Sequence, residues 1–186
     1  MDLPQFKYQP NAYKLDIFTK SEEACQCCGQ ARGYIYDKSV YAMDDIDALC
    51  PWCIADGSAA KKFDAEFIQN IEPPNGDFSK PPILDAAIID ELTHHTPGYV
   101  SWQGEYWLTH CNDGCEYHGD VQQNELLTLP EATLSLFKQE HAYLFSPKNW
   151  GSIEALNEIY FPAGDLALYK FVCRHCGFIR LHCDMS

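Results

Sequence analysis

Positive charge is scarce in this chain. Thirteen Lys and Arg stand against 27 Asp and Glu in 186 residues, a net charge of −14 with His neutral. Nucleic-acid affinity rests on Lys and Arg displacing counterions, so this balance excludes DNA or RNA as an expected partner. Long apolar runs are missing too, and no stretch approaches the roughly 20 residues that a membrane helix needs. No membrane partner is expected. The start, Met1-Asp2-Leu3-Pro4-Gln5-Phe6, lacks a basic segment followed by an apolar one. No secretory signal is therefore read there, and a cytoplasmic location is expected. Also absent are H-E-x-x-H and H-x-E…C-x-x-C, patterns that leave a catalytic zinc one open position. Acidity alone has a bland reading, solubility, and a sharper one, attraction to something basic.

What the sequence does have is cysteine, ten residues of it. In a reducing compartment that points to metal before disulfides. Cys25 and Cys28 precede Gly29, and Cys50 and Cys53 follow, giving C-x2-C-x21-C-x2-C. Four soft thiolates at this spacing select zinc. A redox role for Cys50 and Cys53 would need a thioredoxin-like βαβ context, which the sequence does not show. Buried inert thiols are the third reading. Cys27, between two candidate ligands, reads as a spare.

A second C-x-x-C-G occurs at Cys173, Cys176 and Gly177. Its missing ligands are expected to be Cys111 and Cys115, with His110, His118 and His175 as substitutes. The competing reading makes Cys111 and Cys115 ordinary buried residues. One zinc ion is expected and a second is possible. Two four-cysteine centres would add about −4, taking the folded chain to roughly −18.

The fold expected is α+β, in three parts. Residues 1–71 form a treble-clef or zinc-ribbon-like module: a knuckle, a hairpin over GYIYDKSVYA (33–42), and a helix over IADGSAAKKFDAEF carrying the last ligands in its first turn. Residues 72–82, EPPNGDFSKPP, form a linker. Residues 83–186 form a mixed part holding the second knuckle between the strand-like runs LALYKFV and FIRLH. Within it, Ile83, Leu84, Ala87, Ile88 and Leu92 define a helical stripe closed by Pro97-Gly98. EYWLTHC reads as a strand. VQQNELLTLP, EATLSLFKQEHAYLF and GSIEALNEIY read as helices, the last capped by Ser152.

The segments LPQFKYQP, CQCCGQARGYIY, LCPWCIADGSAAKKFDAEF and LTHHTPGYVSWQGEYWLTHC resemble the CbrC family of bacterial proteins, over nearly the whole chain. Members are linked by name to colicin tolerance, and some look like immunity proteins encoded beside secreted toxins. The resemblance carries no catalytic residue.

Together these readings lead to an expected function: a zinc-binding acidic immunity protein that neutralises a basic toxin, most simply a nuclease effector. Such toxins tend to be basic, and charge steering makes association fast. The alternative is a regulatory or stress adaptor acting through another cellular partner. No enzyme is expected. Candidate contact residues are Glu22 and Glu23, then Asp44, Asp45 and Asp47, then Asp85, Asp90 and Glu91, with Trp102, Tyr106 and Trp107 as anchors. His94 and His95 suit a helix C-terminus. His110–Cys111 and His182–Cys183 are poor catalytic dyads, because neighbours on a strand point to opposite faces.

Overall fold

The computed structural model describes residues 2–146, 148–162 and 164–185. Its organising element is a three-stranded antiparallel sheet. In chain order the elements are β1 (Thr19–Ser21), β2 (Gly33–Ile35), α1 (Pro51–Ala55), α2 (Ser58–Phe63), β3 (Asn70–Ile71), α3 (Ala86–His95), β4 (Tyr106–Trp107), β5 (Thr109–His110), β6 (Asp113–Gly114), β7 (Glu116–Asp120), α4 (Glu131–Glu140), α5 (Ile153–Ile159), β8 (Leu166–Val172) and β9 (Ile179–Met185). Strands β7, β8 and β9 lie side by side, and β8 pairs with β9 from Leu166↔Met185 to Val172↔Ile179. No helix among the described residues is long and apolar enough to cross a membrane.

Alternation along the sheet decides where the cores sit. Successive strand residues face opposite sides. On β8, Ala167, Tyr169 and Phe171 enter one core, while Leu168, with Leu181 and Cys183 of β9, enters another. The first core runs from Phe6 and Tyr8 through Phe67, Leu92 and Trp107 to Cys173. Tyr99 stacks on Tyr117 there at 4.4 Å. The second is closed by Phe137 of α4, Leu156 of α5 and Tyr160. The first core draws on residues from both sides of 72–82. Packing therefore divides at the sheet, with Glu72 tied down by hydrogen bonds from Thr109 and Arg180.

Several local expectations are revised. The hairpin over 33–42 does not form: Gly33–Ile35 pairs backwards with Thr19–Ser21, and Tyr36 and Tyr41 bridge to Leu49 and Glu66. The Tyr36 ring is buried between Phe18 and Phe67, contacts that a local hairpin could not supply. The helix after Cys53 breaks at Gly57, whose φ is +73°. A Cβ there would lie 2.4 Å from the His95 ring, so the break makes room for α3 to dock. The Ile83–Leu92 stripe turns inward only at Leu84, Ile88 and Leu92, and Ile83 is exposed. VQQNELLTLP yields only a 3-10 turn at Leu126–Thr128. EATLSLFKQEHAYLF is helical to Glu140 and then tightens to a 3-10 turn at Ala142–Phe145. The Ser152 cap forms, its hydroxyl accepting from the Ala155 amide at 3.2 Å.

Candidate metal centres

Two groups of soft ligands come together among the described residues: Cys25, Cys28, Cys50 and Cys53, and His110, Cys111, Cys173 and Cys176. Within each group the ligand atoms all lie within 4.8 Å of one another. No cysteine among them is in a disulfide.

Each group starts from the same backbone device. The Cys25 amide donates to the Gln30 carbonyl at 3.1 Å, and the Gly29 amide to the Cys25 carbonyl at 2.7 Å. In the second knuckle the Cys173 amide donates to the Phe178 carbonyl at 2.8 Å, and the Gly177 amide to the Cys173 carbonyl at 2.9 Å. Gly29 and Gly177 share a φ of +71°. A left-handed residue in that place lets the chain turn back under the sulfurs, which is why glycine follows each C-x-x-C. The second knuckle is itself the loop that joins β8 to β9.

The other halves differ. Cys50 caps α1 and Cys53 lies within it. The Cys50 amide donates to the Cys25 sulfur at 3.1 Å, and the Cys28 and Cys50 sulfurs are 3.8 Å apart. Burial pushes the Cys50 thiol up to about 11 and Cys53 higher still. For Cys28 burial again raises the thiol, but the Gln30 amide and the neighbouring thiols together outweigh it and take it below the usual range.

In the second centre His110 and Cys111 stand at the end of a two-residue hairpin loop. Cys111 and Asn112 both have positive φ, +54° and +56°, and His110 pairs with Asp113 across the turn. Positive φ at both central residues is the tight-turn geometry that matches strand twist. It also overturns the strand argument against His110 and Cys111 acting together, since the left-handed turn swings both side chains to one side. His110 Nδ1 is 3.2 Å from the Cys111 sulfur and 3.5 Å from that of Cys176. The Cys111 and Cys176 sulfurs are 3.9 Å apart. The His110 ring stacks on Phe178 at 5.1 Å. Backbone amides of Cys176 and His175 outweigh burial and bring Cys173 down to about 6.

Cys115 is not part of this group, which corrects the expected set. Beyond the hairpin the chain has returned to the core, and Cys115 is wholly buried, its carbonyl accepting from the Trp107 indole at 2.8 Å. Burial drives its thiol far up. His110 takes its place, as one of the three substitutes considered. His118 pairs with Glu116 and His175 with Asp113 instead. Cys27 rests 3.7 Å from the Ser58 hydroxyl, and Cys183 packs in the second core against Tyr143.

Sequence reasoning missed the residue that joins the halves of the second centre. Asp113 is buried, accepts from the Tyr8 hydroxyl at 2.5 Å, and holds His175 at 2.9 Å and Arg174 at 3.4 Å. Arg174 and His175 are the two residues inside C-x-x-C, so this carboxylate clamps the hairpin to the knuckle. No sequence pattern marked it, because its place opposite His110 is set by the turn at 111 and 112. The first centre has a counterpart in Gln26, whose amide group bonds Asp47, Ala48 and Asp45 of the acidic loop.

Zinc fits both donor sets. A tetrahedral zinc with Zn–S bonds near 2.3 Å implies S···S edges of about 3.8 Å and S···N edges of about 3.6 Å. The 3.8, 3.9 and 3.5 Å separations match those edges, the 3.2 Å between His110 and Cys111 is shorter, and four soft donors leave no reason to expect a hard cation.

Of the expected anchors, Trp107 is core, Tyr106 is half-buried and Trp102 is 59% exposed. Glu22, Glu23, Asp44, Asp45, Asp47, Asp85 and Asp90 are exposed and Glu91 is half-buried. His94 bonds Asp90 at 2.7 Å, and His95 contacts the Ala55 carbonyl.

A model of one protein family, described as an uncharacterised protein family, UPF0167, matches residues 3–185. A UPF0167 protein of Pseudomonas aeruginosa is 39% identical over 192 residues, covering 99% of this chain and 97% of its own length. UPF0167 proteins of Mycobacterium bovis and Mycobacterium tuberculosis are each 33% identical over 187 residues, covering 99% and 94%. No solved structure matches. The family description assigns no activity, and the CbrC name expected from the sequence does not occur among these matches.

Proposed function

The chain belongs to the uncharacterised protein family UPF0167, and from that premise we propose that it is a zinc-stapled binding protein whose acidic surface engages a basic protein. One zinc ion would be held by Cys25, Cys28, Cys50 and Cys53, and a second by His110, Cys111, Cys173 and Cys176. Bound zinc supplies a cross-link, not a reaction: four protein ligands in each group leave no position for water or substrate. With His110 in place of a fourth thiolate, the second centre would carry about −1 instead of −2, so the loaded chain stands near −17.

The observation that carries the reading is the second cluster. It joins a hairpin tip at residues 110–111 to a knuckle more than sixty residues later, as a structural staple does. The net charge of −14 supports the basic partner. Trp102 offers an anchor already fixed in place. Its own amide, the Gln103 amide and the Ser101 hydroxyl all donate to Asp184. An exposed aromatic on a pinned turn loses little entropy on binding.

On this reading the partner is a toxin of the immunity kind, and the adaptor alternative differs only in which protein is bound. Metal analysis of protein purified without chelator should give close to two zinc ions per chain. Calorimetry against a basic nuclease effector encoded beside the gene should show tight binding that weakens with salt and in Trp102→Ala. Zinc near zero sinks the staple, and salt-independent or absent binding to that effector sinks the immunity role.

A further inference from the structure

Away from both centres, a cavity of about 640 Å³ opens between segment 70–78, β4, the C-terminal end of α4 and β9. That volume is within the range of small-molecule sites. Its charged floor is already satisfied. Arg180, 7% exposed, donates through Nη1 to Glu72 at 2.5 Å and to the Thr109 carbonyl at 2.7 Å, and through Nη2 to Glu140. The guanidinium is thus committed to two carboxylates and is no free clamp for an anion. Together with the chain's net charge, this floor disfavours a phosphate or carboxylate ligand.

The rest of the lining is aromatic and neutral-polar, with Leu108, Leu136 and Leu181 between. The rings of Phe78 and Tyr106 are 5.6 Å apart, Tyr106 and His182 4.8 Å, and His182 and His141 6.0 Å, so four rings follow one another along the site. Phe78 is 67% exposed, an apolar ring left at the rim. Burial takes both histidines down to about 4, so both are neutral near pH 7. A neutral imidazole presents one donor and one acceptor. Among the described residues, the His182 nitrogens and the side-chain amides of Asn70 and Gln139 have no hydrogen-bond partner, although all three residues line the cavity. Flat apolar surface beside paired donors and acceptors matches a planar ring with polar edges, and aliphatic ligands would use only half of it.

We propose that this cavity binds an uncharged planar nitrogen heterocycle of the nucleobase or nucleoside class, stacked on Phe78 or Tyr106 and read at its edge by His182, Asn70 and Gln139. The site is independent of the zinc reading, because it shares no residue with either cluster.

The test uses the full-length protein with its metal. Adenosine, guanosine, cytidine and uridine are each added at about 1 mM to thermal melts, and any hit is titrated by calorimetry. At least one nucleoside should raise the midpoint by about 2 °C or more and bind one per chain. His182→Phe keeps the ring and removes its nitrogens, and Asn70→Ala removes a half-buried amide without a partner. Each should weaken binding about tenfold, the worth of one hydrogen bond. The matching 5′-monophosphate should bind more weakly than the nucleoside. The proposal fails if no nucleoside shifts the melt, if binding survives both substitutions, or if the monophosphate binds better. Should His182→Phe not fold, Asn70→Ala decides alone.

Discussion

The two cysteine centres share one half and differ in the other. Each knuckle carries the same pair of amide–carbonyl bonds and the same left-handed glycine. One is completed by the start of a helix, with three of its four ligands buried. The other is completed by the tip of a hairpin, with only Cys173 buried. The knuckle is thus a portable local structure, and its surroundings decide how firmly it is held. Buried sulfurs are shielded from chelators and cannot be released without opening the first core. Exposed Cys111 and Cys176 can be.

The most severe way to test that difference is to remove a buried ligand. Cys50→Ser should lose one zinc ion and at least about 4 kcal/mol of stability, seen in urea titration with parallel metal analysis. Equal retention of two zinc ions would erase the distinction. His110→Ala should also drop the content from two ions to one, at a smaller cost of about 2 kcal/mol, and leave the first centre spectroscopically unchanged in a cobalt-substituted sample. In a chelator challenge of the native protein, one zinc should leave well before the other, and the faster phase should vanish in His110→Ala. Should that variant keep the faster phase, the ordering is reversed.

Smaller substitutions sharpen the likeness instead. Gly29→Ala and Gly177→Ala each force a side chain into φ +71° with no other atom within 4 Å. Both should cost about 1 kcal/mol, nearly equally, in thermal or urea unfolding. A large inequality would mean that the knuckles are not equivalent. Smallest should be the outer supports. Gln26→Ala should speed zinc loss from the first centre only, and Asp113→Asn from the second only, each by a few-fold in chelator kinetics. Crossed effects would break the separation of the two sites.

Much of this was legible in the sequence. C-x-x-C-G announces its own turn, because glycine after the second cysteine is a local backbone requirement. The Cys25–Cys53 grouping followed from spacing. Ser152 capped the helix it was expected to cap. The misses have two sources, distant partners and a tight turn. GYIYDKSVYA looked like a hairpin because β-propensity is read locally, yet Tyr36 is buried by Phe18 and Phe67. Cys115 was preferred to His110 on residue type, but the two positive-φ residues at 111 and 112 reverse the chain within two residues. That turn, absent from any hydrophobic pattern, brings His110 and Cys111 to the knuckle and sends Cys115 into the core. Asp113 was invisible for the same reason.

Composition and local pattern fixed three things without help: a strongly acidic charge balance, soft ligands in paired knuckles, and no apolar run long enough for a membrane helix. Each is a property of residue type or of backbone within a few positions. Tertiary structure alone decided which four donors meet, which tryptophan stays exposed, and that two cores sit on opposite faces of one sheet. Those depend on contacts between residues tens of positions apart, whose pairing is set by packing of the whole chain.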